Sequence, residues 1–572
     1  MTNLKKLWRA TSSLTTGDVH RHTISLSPLL DPALFPSTNR LFLKVTNTTS
    51  PLYNAVPLAG PYQFTASCMD EHSQATMPKF FSRIMCGNSW KIELSTSQAE
   101  HERNGPTAQQ ANADQPDVAG KWRIELVSEV VFSKVNVSYE VELSLETAEH
   151  ILGAPLDEDT TALSNSDSVI SSTIFSPSIS HLKTTTTSDI FRPPPLPTTS
   201  LSPSKHHFVV LTHGLHGTQA DFLYLREAIE NQYAAGEEGS TDRVLVWTCD
   251  VNHTLTEHGI KVAGLRIAER LMAYLGWPWA DAAPITHISF IGHSFGGLLN
   301  LFILGHLQRV SDGQFFLQIR PVNFITLATP WCGSFELPWI AKQALALGML
   351  GQTGKDLVLC QHRNDGIREE LAMDDEPILL AMAHPDSYAH RALRMFGQRT
   401  VYANTEWDPT VGFRTSILWY CGMEGAGESG EVTRAGSKVN VDKTVDGVPP
   451  SCLTNPLIHP PPTSLFSQLR NILRPNPIPD QWLLDPSAIP NPIIHDRVYV
   501  PTDDVPATKW KSKCRNEIEE EIARLWHSDM AFRKVCVRLH SPAHEGIVVR
   551  RRWVNGGGGW NVLAHLMREH AF

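Results

Sequence analysis

The chain has 572 residues, with 49 Lys+Arg against 59 Asp+Glu and a formal net charge of −10. That length exceeds what one hydrophobic core organises, so two or more domains are expected. The mild acidity, without a sustained basic run, argues against nucleic acid as the main partner, and none is expected. Nine cysteines with no C-x-x-C spacing fit a reducing compartment and suggest neither a zinc site nor a redox pair. Residues 1–9 lack the apolar stretch of a secretory signal. No run of about 18 uninterrupted apolar residues predicts a membrane span. The expected location is therefore cytoplasmic, with any membrane contact peripheral.

Residues 1–150 read as a β-rich domain, with strands recognisable from about residue 22. Period-two alternation marks Leu41-Phe42-Leu43-Lys44-Val45, Trp90-Lys91-Ile92-Glu93-Leu94 and Trp122-Arg123-Ile124-Glu125-Leu126-Val127, and it is longest over residues 135–145. Such strands between polar turns predict a β-sandwich-like domain with one face wet. No acidic cluster has the spacing of a calcium loop, so a structural or docking role is expected. Residues 151–205 turn to Ser, Thr and Pro, including Thr184-Thr185-Thr186-Thr187 and Pro193-Pro194-Pro195. This composition predicts a disordered linker open to phosphorylation.

A second domain is predicted over 206–572, carrying a Gly- and Pro-rich insertion at about 422–492. It opens on the apolar strand Phe208-Val209-Val210-Leu211-Thr212 and the loop His213-Gly214-Leu215-His216-Gly217. A helical pattern follows at Phe222, Leu223, Leu225 and Ile229, then the strand Val244-Leu245-Val246-Trp247 and a helix from about Gly259 to Leu275. After them, Ile285-Thr286-His287-Ile288-Ser289-Phe290-Ile291 reads as a buried strand. Gly292-His293-Ser294-Phe295-Gly296 comes next, and an apolar helical run continues through Leu307. Strand, G-x-S-x-G, helix is the context of a nucleophile elbow, which makes Ser294 the candidate nucleophile. Val322-Asn323-Phe324-Ile325-Thr326-Leu327-Ala328 is a further strand. The alternation predicts a doubly wound, mostly parallel α/β sheet.

In such a site the backbone N–H of Phe295, after the nucleophile, supplies one oxyanion donor, and the early loop supplies the other from Leu215. His213 and His216 read as residues that pin this loop rather than as catalysts. Two apolar stretches bear on substrate access. Residues 337–350 predict either a lid or acyl-pocket helix or an ordinary core helix. Residues 465–474 form a short amphipathic pattern suited to an interface or to helix packing. Trp277-Pro278-Trp279 reads as a packing corner.

A serine needs a histidine to take its proton and an acid to hold that histidine's tautomer. In this fold class both follow the serine, on loops after later strands. Asp408 lies after the strand Arg399-Thr400-Val401-Tyr402-Ala403-Asn404, with Glu406 as a near competitor. Among 25 histidines, His544 lies in the loop after the late strand Lys534-Val535-Cys536-Val537-Arg538-Leu539. His540 ends that strand, and His565 and His570 fall on a terminal helix.

Taken together these residues resemble the serine esterase family of the α/β-hydrolase superfamily, in particular its fungal Rog-type lipases. The likeness runs through Val210-Leu211-Thr212-His213-Gly214-Leu215-His216-Gly217, Gly292-His293-Ser294-Phe295-Gly296-Gly297 and Leu327-Ala328-Thr329-Pro330-Trp331-Cys332-Gly333. It extends to Gly351-Gln352-Thr353-Gly354, Tyr402-Ala403-Asn404, Ile494-His495-Asp496-Arg497 and Ala543-His544-Glu545-Gly546-Ile547-Val548-Val549-Arg550. In the N-terminal region Gly60-Pro61-Tyr62 and Gly87-Asn88-Ser89-Trp90 are similar as well. The acid loop departs from the family's more usual Asn-Asp-x-x-Val-Pro, reading Trp407-Asp408-Pro409-Thr410-Val411-Gly412.

The resemblance implies an α/β-hydrolase with a Ser294–Asp408–His544 triad, no cofactor and no metal. It further implies hydrolysis of glycerolipid acyl esters, with monoacylglycerol lipase and lipid-droplet phospholipase activities among fungal members. The expected partners are a lipid ester and a membrane or droplet surface. The same triad would serve a thioesterase or transacylase, and from a different class a non-catalytic lipid-binding scaffold is the alternative.

Overall fold

The computed structural model describes residues 3–15, 17–26, 40–55, 62–71, 80–94, 120–128, 136–147, 179–197, 205–234, 242–253, 255–279, 283–334, 343, 345–360, 376–406, 408–420, 433–434, 437–438, 489–501, 517–540, 542–550 and 558–572. The chain divides into two units, Met1–Ile190 and Phe191–Phe572.

In the first unit the strands are β1 (Asn3–Leu14), β2 (Val19–Leu26), β3 (Arg40–Asn47), β4 (Gln63–Asp70), β5 (Phe80–Met85), β6 (Ser89–Leu94), β7 (Gly120–Ser128), β8 (Val137–Thr147) and β9 (Ile179–Thr185). They form two sheets, ordered β1-β8-β3-β6 and β5-β4-β7-β2-β9, and every pairing is antiparallel. Period-two alternation buries one side of β3, whereas β4 is buried at six consecutive positions. In β3 it buries Leu41, Leu43 and Val45. These side chains join Val141 and Leu143 of β8 in one apolar cluster with Ile24, Phe64, Trp122 and Ile124 of the other sheet.

Two strands lie where the sequence predicts none. β1 pairs with β8 through a register shift between Lys6 and Trp8, so adjacent Leu7 and Trp8 are both buried. A bulge of that kind erases the alternation by which a strand is recognised. β9 falls within the predicted 151–205 linker and corrects it. Ile179–Thr185 adds to the edge of the sheet by pairing with β2, and Leu182 packs against the core. Its threonines suit a pleated edge, although they carry no apolar rhythm. Phe191 and Pro194, also in the predicted linker, already belong to the second unit and contact its Arg226 and Tyr274.

A polar group interrupts this core. The Tyr139 hydroxyl lies 2.8 Å from His20 Nδ1 and 3.2 Å from His22 Nε2. Burial, then the neighbouring His20, lowers the pKa of His22 to about 4. A folded-state value below the unfolded one means that the unfolded chain binds the extra proton, so the stabilisation is complete above the ordinary histidine value and lost as pH falls. The window runs from 6.5 down to about 4. Acidification across it is expected to weaken the first unit by on the order of 2–3 kcal/mol, read as the pH dependence of thermal unfolding. The loss should be smaller in His22→Gln, which buries no titratable ring at that position.

The second unit is built on a seven-stranded sheet of β10 (His206–Thr212), β11 (Arg243–Thr248), β12 (His287–His293), β13 (Arg320–Leu327), β14 (Gln398–Asn404), β15 (Ile493–Tyr499) and β16 (Phe532–Val537). Its order is β11-β10-β12-β13-β14-β16-β15. All pairings are parallel except that of β15 with β16 at one edge. The unit is of the α/β class. A parallel sheet covered on both faces requires strands that are apolar throughout, and Phe208, Val209, Val210 and Leu211 are indeed all buried. The flanking helices include α1 (Leu223–Ala234), α2 (Gly259–Leu275), α3 (Phe295–Val310), α4 (Tyr388–Arg394), α5 (Glu517–Trp526) and α6 (Gly559–Glu569). Helix α3 is buried continuously from Phe295 to Leu307. Trp279 packs on Phe315, with ring centroids 5.5 Å apart, as a packing corner should.

Because the central strands run parallel, the loops after β10, β12, β14 and β16 open at the same carboxyl edge. The 337–350 stretch is helical at 345–346, but residues 347–350 form turns. Gly348 takes a positive φ of 92°, which an ordinary helix does not contain. The predicted helix therefore does not extend to residue 350, and Leu347 and Met349 are 86% and 66% exposed. Residues 337–342, the 465–474 stretch and most of the 422–492 insertion lie outside the described residues. Among the described residues no helix is long and apolar enough to cross a membrane.

Candidate active site

Ser294 occupies the turn between β12 and α3 with φ 54° and ψ −128°. That backbone region is costly for any residue with a Cβ and persists only where the surroundings impose it. Three hydrogen bonds do so: Ser294 N–H to Leu327 O at 2.8 Å, Gly297 N–H to Ser294 O at 3.1 Å, and Thr329 Oγ1 to Ser294 O at 2.9 Å. The turn tolerates only glycine at 296, where a Cβ would sit 2.0 Å from Thr212 O and 2.7 Å from His213 O. Both are backbone atoms and cannot yield without moving β10. We expect Gly296→Ala to cost at least about 2 kcal/mol and to lower activity together with Tm, measured by thermal unfolding and ester hydrolysis.

The early loop lies directly against the serine. A Cβ on Gly214 would stand 2.8 Å from Ser294 Cβ and 3.3 Å from its Oγ. Leu215 follows in this loop, half-buried. Phe295 begins α3, so its N–H is among the first-turn donors that a helix leaves without an intrahelical acceptor. His213 is buried, and its Nδ1 lies 3.1 Å from Gly214 O. His216 donates its N–H to Thr256 Oγ1 at 2.9 Å and brings Nε2 to 3.4 Å from Glu257. Both histidines brace the loop.

His544 sits in a one-turn helix, Ala543–Gly546, after β16. Its Nδ1 lies 2.9 Å from Asp408 Oδ2. A carboxylate oxygen accepts, so Nδ1 carries the proton and Nε2 keeps a lone pair for another proton. Asp408 Oδ1 accepts from the N–H groups of Thr410 and Val411 at 3.0 and 2.9 Å, and Oδ2 also accepts from Asn404 Nδ2 at 2.9 Å. Burial pushes the Asp408 carboxyl upward, but the His544 ring and these donors outweigh it and hold the group below its usual range. Burial likewise works to lower His544, and the Asp408 charge overcomes it to raise the imidazole above its ordinary value.

The competing candidates are engaged elsewhere. Glu406 stands 3.2 Å from Arg538 Nε. His540 is exposed. His565 contacts the Tyr402 hydroxyl and Asp496 at 3.0 and 3.2 Å, and His570 lies 2.9 Å from Thr400 Oγ1.

Three contributors escape a reading by residue type. His293 Nε2 donates to His544 O at 2.9 Å, and the two rings lie 4.7 Å apart. Asn404 Nδ2 also donates to Ala543 O at 3.1 Å. Arg550 Nε, just beyond the histidine, pairs with buried Asp221 at 2.7 Å and so ties the His544 loop to the segment after Leu215. All three stand inside motifs noted above, but nothing local in the sequence signals the partner of Arg550, which is 329 residues away.

Residues 202–423 match the family described as "Putative serine esterase (DUF676)". Along 99% of this chain and 83% of its own length, "Putative lipase ROG1" of Saccharomyces cerevisiae (strain ATCC 204508 / S288c) is 30% identical. "Putative lipase YDL109C" of the same yeast is 27% identical over 99% of this chain and 88% of its own length. Among solved structures, phospholipase PlaB from Legionella pneumophila shares 15% identity over 35% of this chain and 40% of that one at a TM-score of 0.24, which is too distant to bear on function. On its likeness to such relatives over nearly its whole length, the chain belongs to this serine esterase family and is a carboxylic ester hydrolase of the lipase/esterase kind.

Proposed function

We propose that the chain is an α/β-hydrolase cleaving acyl esters of glycerolipids, such as monoacylglycerols or phospholipids, through Ser294, His544 and Asp408. Ser294 Oγ attacks the ester carbonyl while His544 Nε2 takes its proton, and Asp408 orients the ring and stabilises the imidazolium. The oxyanion is held by the N–H groups of Phe295 and Leu215. His544 returns the proton to the leaving alcohol, and water, deprotonated by the same nitrogen, releases the acyl group. No step calls for a metal or organic cofactor.

What carries this reading is the hydrogen bond of His544 to Asp408 at 2.9 Å, with the strained Ser294 turn abutting that base through His293. Exposed Leu347 and Met349 support contact with a membrane or droplet surface, and the cytoplasmic side is part of the proposal. The first unit, with two sheets around one core, is proposed to be a β-sandwich that serves as a structural or docking domain.

The test is labelling with a fluorophosphonate together with a product panel of glyceride, phospholipid and acyl-thioester substrates. Labelling lost in Ser294→Ala, with glyceride or phospholipid turnover, is the expected result. Preferential thioester cleavage, or acyl transfer to an added acceptor, would replace the substrate assignment. Absence of labelling in the wild type would leave only a lipid-binding role.

A further inference from the structure

Resting on the Ser294–His544–Asp408 reading, we propose that His293 and Asn404 are positioning residues that together clamp the base by two consecutive backbone carbonyls. His293 ends β12 and Asn404 ends β14. From these two strands, on either side of β13, one side chain each reaches the one-turn helix that bears His544. Asn404 Nδ2 takes Ala543 O at 3.1 Å, and His293 Nε2 takes His544 O at 2.9 Å.

Both donor assignments follow from their surroundings. The Asn404 nitrogen faces two oxygens, the Ala543 carbonyl and the Asp408 carboxylate; a flipped amide would set oxygen against both. The His293 nitrogen faces a carbonyl, so Nε2 carries the proton, and burial followed by the adjacent His544 ring keeps this imidazole neutral with a pKa of about 3. Asn404 Oδ1 and His293 Nδ1 are buried and have no hydrogen-bond partner among the described residues. Buried atoms left unsatisfied cost stability, so neither side chain is placed there for packing alone.

Asn404 has a double hold. One amide nitrogen joins the acid to the carbonyl immediately before the base, fixing the separation across which Asp408 acts on His544. His293 holds the next carbonyl of the same turn, and its ring lies 4.7 Å from that of His544. Triad catalysis is sensitive to displacement of the base by about 1 Å, worth on the order of 100-fold. A histidine mounted on a short loop turn needs such an external hold more than one mounted on a strand or long helix. The charged and titratable groups acting on His544 are Asp408, Glu545 and Arg550, with His293 against its ring.

The test measures kcat, KM, Tm and the pH profile of kcat/KM for full-length His293→Phe, His293→Gln and Asn404→Leu, with Ser294→Ala in parallel. Phe and Leu preserve volume and remove the donor; Gln reaches about as far as Nε2 and restores one. His293→Phe and Asn404→Leu should each lower kcat by about 10- to 100-fold with little change in KM. Their acid limb should move to lower pH, because His544 drifts from Asp408 and loses the charge that raises it. His293→Gln should recover most of the loss and the original limb. Wild-type kcat and limb in both donor-less variants, or reduced kcat with the limb unmoved, would overturn the clamp. An active Ser294→Ala would instead overturn the triad reading beneath it. Should one variant not fold, the other reads the same quantity through the neighbouring carbonyl.

Discussion

Ser294→Ala is expected to lower kcat by on the order of 10⁴ or more while the protein keeps its fold. Alanine retains the Cβ and therefore whatever strain the φ of 54° imposes. The backbone bonds to Leu327 and Gly297 do not involve the hydroxyl. Only Oγ is lost. The base and the oxyanion donors remain, so residual catalysis by water is expected, with substrate binding nearly unchanged. Steady-state kinetics on a glyceride ester, with Tm held within a few degrees of wild type, checks the prediction. Turnover within tenfold of wild type would reject Ser294 as nucleophile.

Asp408→Asn should cost about 10⁴ in kcat, and the hydrogen bonds explain why so small a change is so damaging. Each contact on the Asp408 carboxylate is a donor: Thr410 and Val411 on Oδ1, Asn404 and His544 on Oδ2. An asparagine must turn its NH₂ toward one of these pairs. Facing the backbone N–H groups it clashes with two donors that cannot move. Facing His544 it forces Nδ1 to accept, which moves the ring proton to Nε2 and leaves no base for the serine. The variant also loses the charge that raises His544, so its remaining activity should show an acid limb at lower pH. Glu406 cannot substitute while it pairs with Arg538. Activity within tenfold of wild type, measured across the pH range, would move the acid role away from Asp408.

Sequence alone made the elbow legible because its demands are local. A strained turn between strand and helix requires glycines at fixed offsets, and close approach of β10 to residue 296 excludes any side chain there. Parallel strands were legible for the same kind of reason, since a strand buried on both faces is apolar throughout. β1 and β9 were not, because a register shift hides the first and the second is added through backbone ladder bonds that leave little trace in side-chain pattern.

Which carboxylate meets which histidine is set by the tertiary structure. Asp408 and Glu406 differ by two positions in one loop, and only the fold turns one toward His544 and the other toward Arg538. His293, Asn404, Asp221 and Arg550 act on atoms distant in sequence; the first and last of these bonds span 251 and 329 residues. Sequence therefore determined where a strained strand-to-helix turn carries a serine, because backbone strain is a short-range property. Which groups surround it was decided by the sheet, whose parallel strands deliver chain ends hundreds of residues apart to one edge.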